Sequence, residues 1–181
     1  SIVTVNDHTG LTVQYFDSTA GGGGDGSIGS PYNSTAELTT FFNAADDRVA
    51  YIKRGSTFAS ASFGWDKVKN RLRLLPYGTG AKPIFTGAAI AWELSWGSAG
   101  TPVRLGGDVV FSEMNVTHST KGNFMSSYAS NNDDPNYPFS RLRDVVLDNI
   151  DYQETGSAGD ASFFSMQSTT GRGMCMSNLH I

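Results

Sequence analysis

Three heptapeptides in the second half of the chain can be laid over one another: Val110-Phe111-Ser112-Glu113-Met114-Asn115-Val116, Val146-Leu147-Asp148-Asn149-Ile150-Asp151-Tyr152 and Cys175-Met176-Ser177-Asn178-Leu179-His180-Ile181. Each reads apolar, apolar, polar, polar, apolar, polar, apolar. Phe111 and Leu147 are 36 residues apart and Leu147 and Met176 are 29 apart, within the roughly 20 to 50 residues of one coil plus a variable loop in a repeat protein. Stacked as parallel strands, the segments place Met114, Ile150 and Leu179 in one inward apolar row and Val116, Tyr152 and Ile181 in the next. Asn115, Asp151 and His180 then form an outward column with neighbours about 4.8 Å apart, close enough to share a ligand.

The rest of the chain agrees with a solenoid of short strands. Only one segment has helical character. Ser34-Thr35-Ala36-Glu37 fits a capping box, in which the Ser34 hydroxyl and the Glu37 carboxylate satisfy backbone amides at a helix start. Leu38, Phe41, Phe42 and Ala45 follow at i, i+3, i+4 and i+7, so a short helix over about residues 35–45 carries one apolar stripe that must cover something hydrophobic. After it come short apolar runs separated by loops, among them Leu72 to Leu75, Val109 to Val116 and Val145 to Tyr152, with no helical pattern between them. The fold class expected is all-β, a right-handed parallel β-helix with a short N-terminal capping α-helix. Residues 1–60 hold the N-terminal strands, a glycine-rich loop and the cap helix, and residues 61–181 hold the first coils of the same domain. Ile181 stops inside the third repeat, which leads to the expectation that the chain is a fragment of a longer one, or that another chain covers that end.

Several functions are disfavoured at once. Gly24-Asp25-Gly26-Ser27-Ile28-Gly29 matches the dinucleotide pattern G-x-G-x-x-G, but Ser30-Pro31-Tyr32 intervenes before the helix, so pyrophosphate has no helix N-terminus to sit on; a surface turn is expected instead. The 13 Lys+Arg against 17 Asp+Glu give a net charge of −4, and no basic run could follow a phosphate backbone, so nucleic acid is not expected as a partner. No apolar run approaches the roughly 20 residues of a membrane span. Cys175 is the single cysteine and sits between Met174 and Met176, the setting of a small buried hydrophobe. His8, His118 and His180 are too scattered for a metal-ligand motif.

The first half resembles the N-terminal end of right-handed parallel β-helix proteins of the pectate-lyase-like superfamily. The residues that carry the resemblance are Asp25-Gly26, the Ser30-Pro31-Tyr32 step, the capping helix, the strand and basic-Gly turn Val49 to Phe58 with Lys53-Arg54-Gly55, and Tyr77 to Gly87 with Lys82-Pro83. Asp46-Asp47-Arg48 departs from the Gly-Asp pair that often joins helix and strand there. The resemblance implies an extracellular protein, secreted or on a virion or cell surface, that acts on polysaccharide as a lyase or glycoside hydrolase. The alternative is a glycan-binding module such as a phage tailspike or adhesin shaft, a homotrimer in the tailspike case.

The two chemistries need different groups. Elimination on an acidic glycan needs a base of lowered pKa and a cation against the substrate carboxylate, whereas hydrolysis needs two carboxyl groups flanking the glycosidic bond. For the first, Lys121, Arg141 and Arg143 are available, with Asp133 and Asp134 as oxygen ligands for Ca²⁺. For the second, Asp148 and Asp151 share one repeat and Glu113 lies one coil earlier. Asp151 beside His180 would favour a protonated imidazole. Catalytic candidates are therefore Asp151, His180, Lys121 and Arg143, and substrate-binding candidates are Asn115, Asp148, Tyr128 and Tyr137, with Trp65 and Trp96 as further aromatic platforms. Against each stands a plainer role: solvated loop charge for the ionic groups, packing for the aromatic ones.

Overall fold

A computed structural model of the chain describes residues 9–59, 63–65, 70–87, 92–96, 106–118, 123–129, 140–154, 162–168 and 174–180. The elements are β1 (Thr12–Phe16), α1 (Thr35–Ala44), β2 (Arg48–Lys53), β3 (Thr57–Ala59), β4 (Phe63–Trp65), β5 (Asn70–Tyr77), β6 (Ile84–Gly87), β7 (Trp92–Trp96), β8 (Gly106–His118), β9 (Asn123–Ala129), β10 (Ser140–Glu154), β11 (Ser162–Ser168) and β12 (Met174–His180). One sheet runs β1-β2-β5-β8-β10-β12, with β3 and β6 extending it beside the second half of β8. A second sheet runs β11-β9-β7-β4. Every strand pairing in both sheets is parallel. Each strand lies on its counterpart from the coil before, which makes the fold an all-β, parallel, solenoid-like stack.

The double-polar step in the heptapeptide turns out to be a corner. In β8, Phe111 is buried, Ser112 is partly exposed, Glu113 has φ 53°, and Met114 is buried again. The left-handed residue breaks the two-residue alternation, so Phe111 and Met114 both face inward although three positions separate them. On one side of the corner β8 pairs with β5 as far as Leu74↔Phe111; on the other it pairs with β6 from Ile84↔Asn115. Asn149, with φ 55°, repeats the device in β10. In the coil of β2 and β3 the corner is a turn through Gly55 (φ 83°), and in that of β5 and β6 a longer one through Gly78 and Gly80.

The core is built from the inward rows. Ala50, Ile52, Leu72, Leu74, Val109, Phe111, Val145 and Leu147 fill one side of the corner, and Phe58, Phe85, Met114 and Val116 fill the other, with Ile150 and Tyr152 packed against them. The pairings Met114↔Ile150 and Val116↔Tyr152 agree with the first two heptapeptides as aligned. The third does not. Leu179 pairs with Val145 and His180 with Val146, so β12 is displaced by five residues from the expected register, with the Leu179 backbone in line with Val145, Val109 and Leu72 across the sheet. The physical reason is that β10 presents two apolar stretches, one on each side of its corner, and a binary pattern fits either. Pairing with the first half gives β12 a ladder from Ser140↔Met174 to Val146↔His180.

The first coil is closed at its free edge. The Ser34–Glu37 capping box forms, with Ser34 Oγ accepting from the Glu37 amide at 3.2 Å and Glu37 Oε2 accepting from the Ser34 amide at 2.9 Å. It starts α1 so that Leu38, Phe41 and Phe42 are buried. Phe41 meets Phe16 at 6.0 Å between ring centroids, and the Arg48 guanidinium lies 5.0 Å over its ring. The glycine-rich stretch is more than a surface turn. The Tyr15 amide donates to Gly26 O, the Tyr32 amide to Tyr15 O and the Asp17 amide to Tyr32 O, so the segment covers the outer edge of β1 with ladder-like bonds. Gly24 is required there, since a Cβ would stand 2.2 Å from Pro31 O.

Candidate functional site

The corner of the stack gathers the ionic groups. Lys82 leaves the turn before β6 and reaches past the neighbouring coil to β10, where its ammonium donates to Asn149 O (2.9 Å), Asn149 Oδ1 (2.7 Å) and Asp151 Oδ2 (2.8 Å). All three N–H donors are thereby used. Arg54, in the turn before β3, makes the analogous leap to Glu113 of β8. Ser112 Oγ donates to Asp148 Oδ2 at 2.9 Å across adjacent strands. Each cation ties the coil one beyond its neighbour, and each tie ends on or beside a left-handed corner residue. The corner therefore presents Glu113 on one coil and Asp148 and Asp151 on the next, Asp151 with its side chain 69% exposed.

The expected column is thus partly assembled. Asn115 and Asp151 are register partners, and His180 is paired with Val146, five positions before Asp151 along β10. Asn115 itself is held by the fold: its amide donates to Pro83 O at 2.9 Å, and its Oδ1 is buried without a hydrogen-bond partner among the described residues, out of reach of a ligand on the surface. Arg143 is in β10, opposite Gly107 on one side and Ser177 on the other, and Arg141 is opposite Cys175. Tyr128 is in β9, paired with Ser95 and Gln167, while Trp65 and Trp96 belong to β4 and β7 of the second sheet. Lys121, Asp133, Asp134 and Tyr137 lie outside the described residues.

Lys82, Arg54 and Ser112 were missed as site residues. Two signals pointed to the first pair: each is a basic residue next to a backbone breaker, Arg54 before Gly55 and Lys82 before Pro83, and each sits at the turn where one strand gives way to the next. Ser112 carries no such signal. Its role depends wholly on the register that sets it against Asp148.

A parallel, solenoid-like β fold with a carboxylate-bearing outer corner is the class that these features define. No protein-family model matches the sequence, and no curated protein matches it. Among solved structures, the chain is similar to a GH136 lacto-N-biosidase from Eubacterium ramulus. The selenomethionine crystal form aligns over 93% of this chain with a TM-score of 0.59 and 13% sequence identity. The native form aligns over 92% with the same score and identity. The chain spans about a third of that enzyme, 34% and 33% in the two forms. At this identity the likeness is one of fold.

Proposed function

We propose that the chain is part of a right-handed parallel β-helix protein that acts on glycans, with the corner of β8 and β10 as the face that meets the sugar. The observation that carries the reading is the row of Glu113, Asp148 and Asp151 on adjacent coils, two of them steadied by Lys82 and Ser112 and open to solvent. Carboxylates held in place by neighbours are what sugar hydroxyls need as acceptors and what glycosidic bond hydrolysis needs as acid and base. The fold likeness to a lacto-N-biosidase supports the same reading, as does the resemblance of the first half to pectate-lyase-like proteins. Hydrolysis is favoured over elimination because the cations at the corner are already committed, Lys82 with its three donors on Asn149 and Asp151 and Arg54 on Glu113. Asp148 and Asp151 are the residues assigned to the glycan, and an extracellular location fits such a substrate.

Incubating the protein with neutral and uronate oligosaccharides tests this. Reducing ends released without unsaturated products, and lost in Asp148→Asn and Asp151→Asn, are the expected result. Unsaturated ends would establish elimination instead. Binding without cleavage, abolished by the same substitutions, would reduce the role to a glycan-binding module; absence of both binding and cleavage would refute the proposal.

A further inference from the structure

Just ahead of the corner, the outer face of the first coils carries three tyrosines. Tyr15 and Tyr51 are register partners on β1 and β2, stacked at 5.4 Å between centroids with 16° between ring planes. Tyr77, at the end of β5, meets Tyr15 edge-on at 5.1 Å and Tyr51 at 6.5 Å. All three are partly exposed, and none belongs to the core, against which Tyr32 and Tyr152 do pack. At the edge of the trio stands Lys53, the register partner of Tyr77, whose exposed ammonium spends one donor on Asp17 Oδ2 at 2.6 Å. Asp17 is buried and also accepts from the Thr19 amide and hydroxyl.

We propose that Tyr15, Tyr51 and Tyr77, with Lys53 at their rim, form a stacking subsite for an uncharged pyranose ring, separate from the corner carboxylates. The proposal rests on the glycan reading above and extends it. An aromatic face attracts the polarised C–H groups of a sugar, and a partly exposed cluster of rings fixed by the sheet loses little freedom when the sugar docks. Lys53 keeps two N–H donors for ring hydroxyls. Its charge is balanced by Asp17, so the rim offers hydrogen bonds without a net positive field to select a carboxylate-bearing sugar. Burial holds the Tyr51 and Tyr77 hydroxyls above the usual phenol range, which keeps them neutral donors at ordinary pH. Cross-strand aromatic packing that merely stabilises the sheet would use the same rings, and the test has to separate the two roles.

Oligomers of β-linked glucose, galactose and N-acetylglucosamine, beside oligogalacturonate, are screened by saturation-transfer NMR, and the tightest neutral binder is titrated against variants. Tyr51→Ala and Tyr15→Ala are expected to weaken it about tenfold or more, while Tyr51→Phe, which keeps the ring, stays within about threefold. Thermal unfolding of each variant controls for the fold: a Tyr51→Ala protein that melts lower but binds as the wild type overturns the subsite and leaves only a packing role. Preference for oligogalacturonate overturns the neutral class. Binding that survives Tyr51→Ala and Tyr15→Ala but is lost in Asp148→Asn sinks the tyrosine subsite and spares the glycan reading, whereas a wild type that binds no sugar sinks both.

Discussion

Asp17 is the most informative single residue to perturb. Burial alone would raise its carboxyl pKa, but the Lys53 hydrogen bond, the Thr19 hydroxyl and amide and the Lys53 charge outweigh that and bring it from 3.8 to about 2. A carboxylate whose pKa falls on folding contributes stability that is present above its unfolded value and is lost as pH drops through its folded value. The displacement corresponds to about 2.5 kcal/mol at roughly 1.4 kcal/mol per pH unit, and to between about 1 and 2 kcal/mol once solvent screening of the half-exposed Lys53 is allowed for. Asp17→Asn keeps the shape and removes the charge. Urea unfolding of wild type and variant, followed by circular dichroism from about pH 7 down to about pH 2, isolates the effect, because the other carboxylates are common to both. The variant is expected to be less stable by about 1 to 2 kcal/mol near neutrality, with the gap closing between about pH 4 and about pH 2. A gap that stays constant across that window would refute the Lys53–Asp17 clamp as its source.

Three other substitutions probe the cap and the core. Ser34→Ala removes the hydroxyl of the capping box and should cost about 1 kcal/mol in chemical denaturation. Gly24→Ala drives a Cβ against the Pro31 carbonyl; a loss of about 1 to 3 kcal/mol is expected, with faster proteolysis in residues 24–32 as the sign that the edge cover of β1 has lifted. Phe111→Ala empties a fully buried site in the middle of the stack and should lower stability by about 3 to 5 kcal/mol by calorimetry or urea.

The N-terminal cap was legible because its signals are local. Ser34 and Glu37 are three residues apart, and Leu38, Phe41 and Phe42 define the helix face without knowledge of what they cover. The pairing of β8 with β10 was legible for a related reason: Phe111-Ser112-Glu113-Met114 and Leu147-Asp148-Asn149-Ile150 share the same apolar-polar-polar-apolar step, and matching the steps sets Met114 against Ile150. β12 pairs only with the half of β10 that precedes its corner. Nothing in its alternation distinguishes one apolar half of β10 from the other, and Leu179 and His180 were therefore set five positions away from where they stand.

Residue order alone determined that short strands would alternate with turns and that one amphipathic helix would precede most of them, since those properties follow from backbone preference and polarity over a few residues. Tertiary structure decided which coil each side chain meets: Lys82 with Asp151, Arg54 with Glu113, and Tyr77 with Tyr15. These partners are separated by 59 to 69 residues, as with Arg54 to Glu113 and Lys82 to Asp151, and lie across stacked strands. Their meeting depends on loop lengths and on inter-coil register, both of which are settled by the packing of the whole core and by no short stretch of sequence.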